Sequence, residues 1–156
     1  MITVDQKLLT FSLGEEGYGI SILKVKEIIG MLEITQVPRT PNFIKGVINL
    51  RGKIIPIMDL RMKFGMDEKP YNERTCIIVI EISIQGSQRL LGVVVDMVAE
   101  VINISAEEIE PAPQYGSKLE HNLIAGMGKV KDRVVIILDI DEVVFCDEVV
   151  KILDNI

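Results

Sequence analysis

Two stretches of this chain lie over one another without a gap. Phe43 to Leu60 reads FIKGVINLRGKIIPIMDL, and Leu123 to Ile140 reads LIAGMGKVKDRVVIILDI, at an offset of 80 (123 − 43). Identities fall at Ile44/Ile124, Gly46/Gly126, Ile57/Ile137 and Asp59/Asp139, and like replaces like at Phe43/Leu123, Arg51/Lys131, Lys53/Arg133, Ile55/Val135, Met58/Leu138 and Leu60/Ile140. Each stretch has two β-branched arms around a polar tip, Asn49-Leu50-Arg51-Gly52-Lys53 in the first, which predicts a β-hairpin. A second echo precedes it. Tyr18-Gly19-Ile20 matches Leu91-Gly92-Val93 at an offset of 73 (91 − 18), and Val25-x-Glu27-Ile28-Ile29 matches Val98-x-Glu100-Val101-Ile102. The difference between the two offsets fits in 105–123, a loop richer in Pro, Gly and Glu than its counterpart. Such a chain must fold as two similar units.

Each copy shows about five short strands at close spacing with turn signals between them, and no strand is followed by a long amphipathic helix. The expected class is therefore mainly β, as two small closed sheets rather than one parallel sheet. Approximate bounds are 14–74 for the first barrel and 75–140 for the second, with the strand at 8–13 able to pair with either. Asp59 is expected to cap a single helical turn over Leu60–Phe64, stopped by Gly65. Residues 141–156 are expected to form a C-terminal helix, from about Glu142 to Leu153, broken near Asp147. The polar segment Met66–Arg74 reads as a surface link.

Hydrophobic residues make up 48% of the chain and tryptophan is absent, so the interior must be Ile, Val and Leu. Cys76 and Cys146 have no CxxC or neighbouring His, which signals neither a metal site nor a disulfide. With 23 acidic and 17 basic residues the net charge is −6, the wrong sign for a nucleic-acid groove. The longest apolar runs, Cys76–Ile80 and Val134–Leu138, are strand-length, and the N-terminus lacks a signal-peptide pattern. A cytoplasmic location is expected, without membrane insertion.

The residues offer little for catalysis. His121 is the lone histidine, with no GxSxG or HExxH around it. Asp59 and Asp139 are tempting as acid and base, but their equivalent places in two copies are better explained by helix capping. Gly14-x-x-Gly17-x-Gly19 lacks the following helix and Lys-Ser/Thr of a phosphate loop. No enzyme, cofactor or metal is expected. Function is therefore sought at surfaces, with Arg51 at a hairpin tip the sharpest candidate because a guanidinium forks onto carboxylates or amide oxygens. Ile22, Val25 and Ile28 suit core as well as interface. Gly46, repeated at Gly126, reads as a backbone requirement.

The string GVINLRGKIIPIMDLR, preceded by Tyr18-Gly19-Ile20 and Val25-x-Glu27-Ile28, resembles the CheW chemotaxis coupling proteins over about 8–149 as a single CheW-like domain. The resemblance implies two five-stranded SH3-like β-barrels sharing an apolar seam, and a non-enzymatic adaptor that couples chemoreceptors to the histidine kinase CheA. It implies receptor contact at Arg51, Asn49, Glu27 and Val101. It implies contact with the kinase regulatory domain, itself a related double barrel, at Ile22, Val25, Ile28, Val37 and Gly46. It also implies a monomer that forms rings with that domain and is recruited to membrane-bound receptor arrays. The alternative from the residues alone is an OB- or SH3-like nucleic-acid-binding double barrel, with a small hydrolase using Asp59 and His121 as a further rival.

Overall fold

The computed structural model describes residues 4–111 and 123–156. The first copy supplies β1 (Gln6–Leu13), β2 (Glu16–Ser21), β3 (Val25–Gly30), β4 (Ile44–Leu50), β5 (Lys53–Asp59) and the short helix α1 (Leu60–Lys63). The second supplies β6 (Cys76–Ile84), β7 (Ser87–Val95), β8 (Met97–Ile104), β9 (Ile109–Glu110), β10 (Ile124–Val130), β11 (Arg133–Leu138) and α2 (Ile140–Val144), followed by α3 (Asp147–Asp154). The fold is mainly β, as expected. The C-terminal helix is broken at Phe145-Cys146, one residue before the expected place.

The strands form two sheets, β3-β6-β7-β5-β4 and β8-β1-β2-β11-β10-β9. A boundary at 74/75 does not separate them. Under the repeat, β1 and β2 are equivalent to β6 and β7, yet β1–β2 joins the second copy's sheet and β6–β7 joins the first copy's. Each copy thus lends its opening hairpin to the other. Each lent hairpin is joined on both sides, by the parallel pairs Ile57↔Gly92 and Ile137↔Gly19 and by the antiparallel pairs β3–β6 and β1–β8. The second sheet has a sixth strand because the longer loop after β8 adds β9, which pairs at Met127↔Glu110.

Exchange explains the composition. A sheet built this way is buried on both faces, so its central strands are apolar throughout rather than alternating. In β6, Ile77 and Val79 point into a small interior with Ile48, Ile55, Ile57 and Val94. Ile78, Ile80, Ile82 and Ile84 point the other way, into a larger core with Leu9, Phe11, Tyr18 and Ile20 of the six-stranded sheet. That larger core is the apolar seam. Leu138, Val143, Val144, Val149 and Leu153 complete it from the C-terminal side.

The turns obey the repeat. Lys131 (φ 56°) repeats the positive φ of Arg51 (φ 50°), and at Arg51-Gly52, as at Gln85-Gly86 in another hairpin, both central residues are at positive φ, the twist that suits a two-residue loop. Register shifts at Ile44/Gly46 and again at Ile124/Gly126. Asp59 Oδ1 accepts from the Met62 amide at 3.3 Å, and Asp139 Oδ1 accepts from the Glu142 amide at 3.3 Å. Both aspartates are helix caps, and the first turn ends at Gly65 with φ 75°.

The link Met66–Arg74 does more than span. The Tyr71 hydroxyl donates to Asp59 Oδ2 at 2.9 Å, giving the buried carboxylate its second partner. Burial pushes the Tyr71 phenol well above its ordinary range, reinforced by the hydrogen bond to Asp59, the Asp59 charge and Glu68. Because the folded phenol is held neutral, its contribution is whole below about pH 10, where an unfolded tyrosine begins to ionise, and is lost as pH rises further. Tyr71→Phe strips Asp59 Oδ2 of that donor and is expected to cost about 1–3 kcal/mol. The variant should also flatten the alkaline fall in stability, measured by urea unfolding at several pH values.

Candidate protein-interaction surfaces

β3 and β4 are the two edges of the five-stranded sheet, yet a side chain joins them. Arg51 Nη2, at the β4–β5 tip, donates to Glu27 Oε1 on β3. The sheet therefore curls until its edges face each other. The arginine side chain remains 69% exposed and Glu27 33% exposed. A pair this open contributes under about 1 kcal/mol, so the fold does not depend on it. Asn49 acts within the turn, where its Oδ1 accepts from the Gly52 amide at 2.8 Å and fixes the tip that carries Arg51.

Arg51, Asn49 and Glu27 thus stand together. Val101 does not join them directly; it lies on β8, an edge of the other sheet, with 47% exposure. It is the repeat equivalent of Ile28 (101 − 73), which is 42% exposed on β3. Two matching edge strands each present one bare β-branched side chain.

The remaining candidates fall into two groups along the five-stranded sheet. Ile22 lies in the 3-10 turn Ile22–Lys24, and Val25 opens β3; both pack partly buried against the seam. Between them Leu23 is 90% exposed. Sequence reading missed Leu23, whose only signal is an apolar residue at a turn. Val37 lies in the β3–β4 connection, in a cleft of about 420 Å³ with Val47, Ile54, Ile152 and Ile156. Gly46 is buried at φ 140°, against the same connection. Thr35 and Val47 exchange backbone hydrogen bonds of 2.9 Å there, so Gly46 acts on Val37 through the backbone.

Chemistry is sparse around these surfaces. Among the described residues no cluster of three or more His, Cys, Asp or Glu side chains is placed to hold a metal. Asp59 and Asp139 are occupied as caps, and His121 lies outside the described residues. Among the described residues no helix is long and apolar enough to cross a membrane.

An aliphatic body of two exchanged sheets, with bare side chains along its edges and an arginine at a fixed tip, is a protein-binding module. The family model for the CheW-like domain matches residues 7–145. The chain is 44% identical over 154 residues to the chemotaxis protein CheW of Klebsiella aerogenes, covering 99% of this chain and 90% of that one. It is 36% identical to CheW of Helicobacter pylori, covering 88% of this chain and 80% of that one. The crystal structure of the scaffolding protein TtCheW from Thermoanaerobacter tengcongensis superposes with a TM-score of 0.81 at 38% identity, covering 92% of this chain and 94% of that one. The chain belongs to the CheW family, whose members are chemotaxis scaffold proteins rather than enzymes.

Proposed function

We propose that this protein couples chemoreceptors to the histidine kinase CheA by binding both at once. The observation that carries the reading is the pair of unlike exposed surfaces on one inert body. One centres on the Arg51–Glu27 contact at the β4–β5 tip, and the other on the 3-10 turn, Val25 and Ile28 of β3 and the Val37 cleft. Receptor binding is assigned to Arg51, Asn49 and Glu27, where a guanidinium meets a carboxylate, and to Val101, a bare aliphatic position on the edge of the other sheet. The receptor part recognised is its cytoplasmic tip. Kinase binding is assigned to Ile22, Val25 and Ile28 directly, and to Val37 with Gly46 behind it. The kinase part is the regulatory domain.

A monomer with two unlike surfaces makes heterologous contacts, which close into rings when the rotation permits. Alternation with the kinase regulatory domain in such rings gives many weak engagements at once and high avidity. The protein works in the cytoplasm, recruited to membrane-bound receptor arrays. A nucleic-acid role is disfavoured by the net charge of −6.

Val25→Met tests the kinase surface. The valine packs on the seam at the start of β3, so the longer side chain displaces that edge at a cost of about 1–2 kcal/mol. Retention of CheA in a pull-down should fall about tenfold, with receptor binding kept. Retention at wild-type strength would remove β3 from the kinase surface.

A further inference from the structure

The chain passes between its two sheets at the 3-10 turn Ile22–Lys24, from β2 to β3, and at Asp96, from β7 to β8. Each passage is fastened by an ion pair to the helical turn that follows a last hairpin. At the second passage, Arg61 Nη1 on α1 donates to Asp96 Oδ2 at 2.7 Å, with side-chain exposures of 14% and 19%. The same carboxylate oxygen accepts from the Gly14 amide at 2.7 Å, in the turn between β1 and β2. The Asp96 amide donates to Ser12 O at 3.1 Å. Asp96 therefore ties α1 of the five-stranded sheet to the first hairpin of the six-stranded sheet.

At the first passage, Lys24 Nζ donates to Asp141 Oδ2 on α2 at 2.7 Å, with side-chain exposures of 36% and 38%. The two fastenings correspond under the repeat. Arg61 is equivalent to Asp141 (141 − 61 = 80), and Lys24 falls on Met97 (97 − 24 = 73), one residue from Asp96. Each copy thus holds an ion pair at its crossing, with the charges exchanged between crossing and helical turn. Reversal argues that the fold requires a contact at this place rather than a particular charge on a particular element. The two differ in quality. The Arg61–Asp96 pair is largely dry and shares its carboxylate with a backbone amide. The Lys24–Asp141 pair is more than one third exposed, and Asp141 Oδ1 is buried with no hydrogen-bond partner among the described residues.

We infer that these two pairs are positioning residues which set the orientation of one sheet against the other, and that the looser pair, Lys24–Asp141, is where kinase docking on β3 is transmitted to the six-stranded sheet. Lys24 lies between Ile22 and Val25, so a partner seated there bears on the fastening itself. The inference rests on the proposed kinase surface, and its test separates the two. Arg61 and Asp96 are poor test sites, because removing either leaves a poorly hydrated charge and endangers folding. Lys24 and Asp141 are open enough to change.

The experiment measures the distance distribution between spin labels at Ser83→Cys on β6 and Lys131→Cys at the β10–β11 tip, in a Cys76→Ala, Cys146→Ala background, alongside binding of receptor and CheA. Lys24→Glu sets two carboxylates against each other. It should broaden the distribution and weaken formation of the three-protein complex about threefold to tenfold, more than it weakens receptor binding alone. The swap Lys24→Glu/Asp141→Lys restores the contact with the polarity of the other crossing and should recover both readouts. An unchanged distribution in Lys24→Glu overturns the inference. So does a swap that narrows the distribution without recovering the complex, since Lys24 would then be meeting the partner by its own charge. If the wild-type chain binds no kinase, the functional reading fails, while the distance measurement still decides whether the pair orients the sheets.

Discussion

Gly46→Ala is expected to destabilise the protein by about 4 kcal/mol or more, the range in which few single substitutions fall. Gly46 sits at φ 140°, a conformation that L side chains rarely adopt. A Cβ there would stand 2.0 Å from the Thr35 carbonyl oxygen and 2.7 Å from its carbon, and backbone cannot swing aside as a side-chain end does. Relief requires breaking the Thr35–Val47 bridge, whose two hydrogen bonds are 2.9 Å each. That bridge holds the connection carrying Val37. The same substitution should therefore weaken kinase binding without Gly46 touching the partner. Gly30→Ala is the control: its Cβ meets nothing within 4 Å, and urea unfolding should show a change within about 0.5 kcal/mol. A Gly46→Ala protein as stable as Gly30→Ala would refute the close approach.

The second large effect is on binding rather than stability. Arg51→Glu places a carboxylate opposite Glu27 at the point where the two edges of the five-stranded sheet meet. Arg51 is 69% exposed, so the fold should lose under about 1 kcal/mol. On the proposed receptor surface, affinity should fall about thirtyfold or more, because the guanidinium is replaced by a carboxylate that repels Glu27 beside it. Equilibrium binding to receptor cytoplasmic fragments measures it. A double change, Arg51→Glu with Glu27→Arg, should repair the edge contact. It should recover receptor binding only where the partner accepts either polarity. Unchanged affinity in Arg51→Glu would remove the tip from the receptor surface.

Much of this fold was legible because the repeat is written in side chains that act locally. The Val/Ile arms and the Arg51-Gly52 turn dictate a hairpin with no help from distant residues. Asp59 and Asp139 announce caps because each stands between a strand and an apolar helical turn. The exchange of hairpins was not legible. An offset records which residues are equivalent, and says nothing about which copy a strand pairs with. That choice is made by pairings between residues far apart in the chain, the parallel joins Ile57↔Gly92 and Ile137↔Gly19 and the antiparallel joins β3–β6 and β1–β8. The unbroken apolar run of β6 was the nearest signal, since a strand covered on both faces must sit between two cores.

The surfaces were readable in part. Arg51 and Glu27 could be named singly, but their contact depends on the curl of a sheet. Val101 could be named from the family resemblance, though not that it stands on the other sheet. Tyr71 escaped notice because it lies in a polar link, where neither period nor motif marks a residue that completes a buried carboxylate. The fastenings Arg61–Asp96 and Lys24–Asp141 escaped for a related reason: equivalence was sought in matching residues, and here the residues are opposite in charge.

The most direct test of two-surface coupling is reconstitution from purified parts. Receptor-containing membranes, CheA and this chain are sedimented together, and kinase autophosphorylation is followed with and without a receptor ligand. Coupling predicts that CheA sediments with the membranes, and answers to the ligand, only when the chain is present. Arg51→Glu should leave the chain bound to CheA in the supernatant, and Val25→Met should leave it on the membranes without CheA. Kinase that sediments and responds equally well with the chain omitted would contradict the account.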